Sequence, residues 1–385
     1  MEVVSPKPPI NWTNMLVFTL TPLFAVTLVP LYGYFYGYDA FEWAMAALLL
    51  MFCGMSITAG YHRLWSHKTY KAHPLLRVVF ALGGACALQH DVLHWAADHR
   101  RHHRYVDDND RDPYSAGRGF WFSHMGWILR KYPSGAEDLS NVRDLERDPI
   151  VRWQQRHYLS LVLLMNIGLP ALLGWWHGDI IASLLLAGLL RLVVSLHFTW
   201  LINSLAHMWG RQTYSTASSA RDNPLLALLT WGEGYHNFHH TFQWDYRNGI
   251  RWWQWDPTKW LIRSCSWLGL TRDLKRCAAE DIEAARVALQ YHKAAEKCDR
   301  LQIPEQWRHQ LEEEYQQLCQ TLKLWAQHRQ QWYEARSRKL QEQLSHWDML
   351  QIHNTYLDLQ YRLKLQRRRW QELLQNLANP QLLAV

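Results

Sequence analysis

Residues 41–67 read FEWAMAALLLMFCGMSITAGYHRLWSH, an apolar run that ends in two histidines, His62 and His67. From Phe41 to Ala59 it is long enough for a helix to cross roughly 30 Å of hydrocarbon. Upstream, Met15 to Phe35 is equally apolar and carries no charged side chain. It lacks a basic n-region and a small-residue cleavage site, which argues against a removed signal peptide. Downstream, 158–176 and 180–206 have the same character. The sequence therefore predicts an all-α integral membrane protein with four transmembrane helices and both termini on one side.

Composition agrees. Of 385 residues, 49% are hydrophobic and 19% charged, which excludes a disordered or collagen-like chain. The mean hydropathy of −0.31 averages apolar runs in the first half with a polar region after position 270. Six cysteines are scattered without a CxxC pair, arguing against a disulfide framework or thiolate zinc site and for a reducing compartment. A net charge of +7, with no sustained basic surface interleaved with aromatics, points to a membrane and away from nucleic acid.

The loops set the orientation. Tyr36–Asp39 and His177–Asp179 contain no Lys or Arg, whereas the segments after Gly60 and Ile128 contain many, so the basic side is expected to be cytosolic. Arg191, inside the fourth span, is expected to face protein or a polar cavity. His73 to Trp95 is apolar but broken by Pro74, Arg77, Gln89, His90 and Asp91, which suits a helix in or under the interface. Phe120–Leu129 reads the same way.

Residues 1–280 form the expected membrane domain, and 281–385 a soluble helical or coiled-coil tail. In the tail, Leu311, Tyr315, Leu318, Leu322, Trp325 and Trp332 recur at helical spacing, and Pro304 breaks this helix from the one before. A hairpin packed on the main body and a partner-binding or self-associating coil both fit. Arg367, Arg368 and Arg369 suit either anionic headgroups or a solvated face.

The chain has 21 histidines, and eight fall into three clusters. These are His62 and His67 in HRLWSH, His99, His102 and His103 in HRRHH, and His236, His239 and His240 in HNFHH. All three are predicted on the cytosolic face, in a helical cap. On a helix, each HxxHH aims its first and last rings together, while adjacent rings diverge by about 100° and can serve two neighbouring metals. The spacing of five in the first pair suits a helix end or two ions. So many imidazoles exceed one four-ligand site and lack the thiolates of structural zinc, so a dimetal centre is expected. Ligand type alone leaves zinc, copper, iron and nickel open. A histidine-rich dimetal site next to lipid suggests oxygen chemistry on a hydrocarbon.

HRLWSH (62–67), DHRRHH (98–103) and GEGYHNFHHTFQWDYR (232–247), in this order around two pairs of spans, resemble the membrane fatty acyl desaturases of the stearoyl-CoA (delta-9) type. The likeness runs over about residues 10–275 and includes ITAGYHRLWSHKTYKAH (57–73), DPYSAGRGFWFSHMGWIL (112–129) and TWLINSLAH (199–207). The tail lies outside it. The resemblance implies two irons, as Fe2+, held by the eight clustered histidines and a ninth, His207, with Asn203 near one iron through a water. Asn203 is one helical turn before His207, which permits this. Asp98, Asp112 and Glu233 are candidate acceptors for ligand N–H groups, with ordinary loop carboxylates as the alternative.

The implied activity is oxygen-dependent insertion of a cis double bond into a saturated acyl chain, using two electrons from outside the substrate. Similarity to the family places Gln89, Trp95, Trp127 and Thr199 around a bent apolar tunnel; interfacial anchoring and helix packing are their other readings. Arg130 and Lys131 match a basic pair that holds CoA phosphates, and could equally bind headgroups. Arg191 matches a basic position near the substrate entrance. Where members commonly read NDVYEWARDHR, this chain has HDVLHWAADHR (90–100), so His90 and Ala97 replace residues that help bind CoA. Acyl-CoA and acyl-lipid both stay open as carriers.

No HPGG haem motif occurs, so a separate cytochrome b5 or ferredoxin is the expected electron donor. The expected setting is the endoplasmic reticulum of a eukaryote or the inner membrane of a bacterium. Two other functions fit the same boxes: a membrane hydroxylase or monooxygenase, and a non-enzymatic membrane metal-binding protein.

Overall fold

The structure, a computed structural model, describes residues 7–337 and 345–378. Four helices are long and apolar enough to cross a membrane: Trp12–Phe35, Ala40–Ser66, Tyr158–His177 and Ile180–Met208. The first, second and fourth are capped at their starts by the side chains of Asn11, Asp39 and Asp179. Asp39 accepts N–H groups at the head of the second span, while Glu42 reaches back to the Asp39 N–H at 2.8 Å, so the one acid of that run completes a capping box. Asp179 caps the fourth span and also accepts from the Tyr32 hydroxyl at 2.7 Å, joining it to the first.

The segment after the second span forms two helices, Pro74–Ala87 and Val92–Tyr105, bent by 80°. The first of them packs along the second span. Gly83 and Gly84 allow the approach, since a Cβ at Gly84 would lie 2.1 Å from the Tyr61 ring. At the bend, Leu88 and His90 take positive φ, and Asp91 caps the helix that follows. A strand pair, Lys71–Ala72 with Thr271–Arg272, ties the start of this segment to the end of the membrane unit.

Arg191, which the resemblance places near a substrate entrance, is satisfied by protein oxygens. It is buried, and it donates to the carbonyls of Ala187 (2.9 Å) and Cys86 (2.7 Å) and to Asn166 Oδ1 (2.8 Å). A charge at this depth is tolerated because protein oxygens replace its water. It is a tie between the fourth span, the third span and the Pro74–Ala87 helix.

The chain divides into two compact units, Met1–Arg276 and Cys277–Val385. In the second, the helices Ala279–Leu301, Glu305–Ala335 and His346–Ala378 enclose Leu311, Leu318, Leu322, Leu363, Trp370 and Leu373. Trp332 stacks on His353 at 4.3 Å. Within the basic run, Arg367 pairs with Glu283 at 3.1 Å, whereas Arg368 and Arg369 are exposed.

Candidate metal centre

The last residues of the second span, Ser56–Ser66, wind in wide turns, and the His67 N–H donates to the His62 carbonyl at 3.1 Å, five residues back. Such i→i+5 turns cluster at functional sites. Here the widening turns His62 and His67 to the same side, so a spacing that suggested a helix end or two ions places both rings in one group. His99, His102 and His103 ride on Val92–Tyr105, and the third box forms the short helix His236–Thr241. The fourth span breaks at Ser204, just after Asn203, and the turn Leu205–Met208 carries His207 inward.

The nine rings sort into two groups, each with ligand nitrogens within 4.8 Å of one another. One holds His62, His67, His99, His103 and His239; the other holds His102, His207, His236 and His240. The outer histidines of each HxxHH box share a group, and the inner one crosses to the other. Nε2 atoms face each other at 3.0 Å for His62 and His239, 2.8 Å for His67 and His99, and 3.1 Å for His207 and His236.

The opposite edges of several rings are held by acceptors. His62 Nδ1 lies 2.9 Å from Glu233, His102 Nδ1 3.0 Å from both oxygens of Asp112, and His207 Nδ1 2.7 Å from the Ser219 hydroxyl. This leaves the Nε2 lone pairs pointing inward, the usual arrangement around a metal. Burial, followed by repulsion from neighbouring imidazoles, pushes His67, His236, His239 and His240 well below the ordinary histidine range. Neutral imidazole is the ligating form, and nitrogen donors at these separations suit a transition-metal ion in each group. Burial works against ionisation of Glu233, yet His62 and Arg63 hold its carboxyl down at about 2.

Among the described residues, Asp98 makes no hydrogen bond to a ligand ring. Its carboxylate binds Arg101 at 2.5 Å, one turn along the same helix. The Ser219 contact went unforeseen. Ser219 in turn donates its N–H to Asp107 at 2.7 Å, and neither residue sits at a spacing that connects it to His207. Arg63 was also missed: it is buried between Glu233 and Asp256 and donates to the Tyr246 carbonyl at 2.8 Å.

Residues 41–270 match the fatty acid desaturase family. The chain belongs to that family. It is 41% identical to acyl-CoA desaturase 1 of Saccharomyces cerevisiae over 294 residues, 75% of this chain and 56% of the relative. It is 44% identical to stearoyl-CoA desaturase 5 of Bos taurus over 249 residues, 63% of this chain and 73% of the relative. Stearoyl-CoA desaturase 5 of Homo sapiens is 43% identical over a stretch of the same length. The chain spans little more than half the length of the yeast relative.

With a desaturase-family fold and two convergent histidine groups, the protein is a multi-pass membrane protein with a metal cofactor. Beside the first group, Trp95 stacks on His99 at 4.8 Å and stands edge-on to His62 at 6.1 Å. Gln89 donates to the Thr199 hydroxyl at 2.8 Å and accepts from the Trp95 indole at 3.4 Å, so these three residues form one polar seam in an apolar wall. Trp127 packs on Tyr114 at 5.2 Å, which in turn packs on His102 of the second group at 4.7 Å. Arg130 donates to the Pro8 carbonyl at 2.7 Å, and Lys131 beside it is exposed.

Proposed function

We propose that the protein is an acyl-CoA desaturase that introduces a cis double bond at the delta-9 position of a saturated fatty acyl chain. The observation that carries this reading is the pair of histidine groups, five rings and four, set against Trp95 and the Gln89–Thr199 seam. An alkyl C–H has no useful acidity, so positioned acid–base groups alone cannot remove two hydrogens from mid-chain. The five-histidine and four-histidine groups would each hold one iron, and the pair would supply an oxidant drawn from molecular oxygen.

The chain's own residues position and exclude. Trp95, Gln89, Thr199 and Trp127 fix one C–C bond of the acyl chain beside the rings and keep water from it, so that proximity and orientation select the site of reaction. Glu233, Asp112 and Ser219 hold ligand rings in the tautomer that leaves Nε2 free. Asn203 reaches the four-histidine group through a water. Arg130 and Lys131 hold the phosphates of the CoA carrier. Relatives named acyl-CoA and stearoyl-CoA desaturase support that carrier over an acyl-lipid.

The histidine groups and both termini face the cytosol, because the connections between paired spans are free of Lys and Arg while the other side is basic. Electrons come from a separate cytochrome b5- or ferredoxin-type protein. The deciding experiment is expression in cells unable to make monounsaturated fat, followed by mapping of double-bond position and lipid class. Oleate-type acyl chains support the proposal. A hydroxylated chain with no alkene, or metal binding without oxygen uptake, overturns it.

A further inference from the structure

The nine rings are not equally covered. His62, His99, His102, His207, His236 and His239 are buried, whereas His67, His103 and His240 keep partial exposure. An open cavity of about 500 Å3 reaches His67 and His103 and is bounded by Arg100, Arg104 and Trp244.

The helix Val92–Tyr105 tells which side this is. Trp95, near its start, covers His99 and His62 and belongs to the Gln89–Thr199 seam. Arg104 is nine residues further on, about 14 Å along the axis at 1.5 Å per residue. The opening therefore extends to the end of this helix away from Trp95.

Its rim is built for a protein. Arg100 is fixed by a bidentate contact with Asp144 (2.7 and 3.1 Å) and by the carbonyls of Trp65 and Ser66. Lys68, exposed, shares Asp144 at 2.8 Å. Arg104 is exposed, lies over the Tyr105 ring at 5.3 Å, and has no acidic partner among the described residues. Trp244 is 46% exposed. Three cations against one carboxylate leave a positive rim, and Trp and Arg are the residue types that dominate binding energy at interfaces.

We infer that this opening is the electron-entry port, where a small acidic one-electron carrier protein docks on Arg104 and Trp244 with its cofactor edge over His67 and His103. The inference rests on the desaturase reading, whose balance requires such a donor. One –CH2–CH2– unit, one O2, two electrons and two protons give one –CH=CH– unit and two waters. Two C–H bonds and the O–O bond break, the C=C bond forms, and the carrier, docking twice, is oxidised by one electron each time.

The test uses the full-length, iron-loaded protein. Turnover is driven by a soluble cytochrome b5 or a [2Fe–2S] ferredoxin, each with its reductase, and in parallel by dithionite. Arg104→Glu and Trp244→Ala are expected to raise the KM for the carrier by about tenfold or more, and Arg104→Glu also to flatten its salt dependence. Dithionite-driven turnover and iron content stay at the wild-type level, and Arg104→Lys restores the carrier KM. An unchanged carrier KM in Arg104→Glu overturns the port. So does a parallel loss of carrier- and dithionite-driven turnover, or a wild-type protein that works with dithionite but with neither carrier. A wild-type protein that forms no alkene with any reductant sinks the desaturase reading instead.

Discussion

Oε2 of Glu233 lies 2.9 Å from Nδ1 of His62, and both side chains are buried. The other oxygen of the same carboxylate binds Arg63 at 2.8 Å, so the acid cannot swing away from the ring. With Nδ1 beside this carboxylate, the His62 ring presents its Nε2 to His239, 3.0 Å away.

Replacing this acceptor should loosen one ligand without removing it. Glu233→Gln is expected to lower metal affinity of the five-histidine group about 10- to 100-fold, read as metal content against a graded chelator. An affinity equal to wild type would show that the carboxylate does not orient the ring.

His239→Ala and His102→Ala act on different groups. Each is expected to abolish double-bond formation while membrane insertion stays intact, and to bring bound metal from two ions toward one. Retained turnover in either variant would remove that residue from the ligand set.

The Gln89–Thr199 hydrogen bond crosses from the helix bend to the fourth span. Gln89→Ala breaks it and frees the Trp95 indole, so the acyl chain is expected to lie less uniquely. Gas chromatography of the products should show a second double-bond position or a loss of rate, and an unchanged product would remove this seam from the substrate wall.

Asp144 supplies a pH dependence. Burial opposes its ionisation, but Arg100 and Lys68 hold its carboxyl at about 2, below its ordinary 3.8. A depressed folded-state value gives stability that is present above about pH 4 and lost as pH falls through about 2. Because Asp144 is partly exposed, the effect is small. Asp144→Asn should flatten the thermal stability of the purified protein against pH in that window, and an unaltered profile would contradict the assignment.

A cut at residue 305 would strip the Ala279–Leu301 helix of its partners and expose Val287, Ala294 and Cys298. Deletion of 277–385, one whole compact unit, is the cleaner test. Desaturation with dithionite should survive it, and loss of turnover with normal iron content would give the tail a role in the chemistry.

Periodicity was enough for the spans and for the pairing within HxxHH, because both follow from helical geometry alone. The pairing of His62 with His67 was not legible, since five residues share a side only where the helix widens. Arg191 read correctly as a charge facing protein, but its partners, Cys86 and Asn166, lie on other elements and leave no trace in local sequence. Asp98 misled because it adjoins a ligand in the chain, while the helix turns it toward Arg101. Ser219 and Asp107 join the site only through a loop closure that spacing does not encode.

The sorting of rings has a consequence for biosynthesis. The five-histidine group draws on residues from His62 to His239 and the four-histidine group on residues from His102 to His240, so neither is closed until His236–Thr241 has left the ribosome. All four hydrophobic segments are by then in the bilayer. Full coordination of a metal in either group therefore waits on the last histidine box to be made.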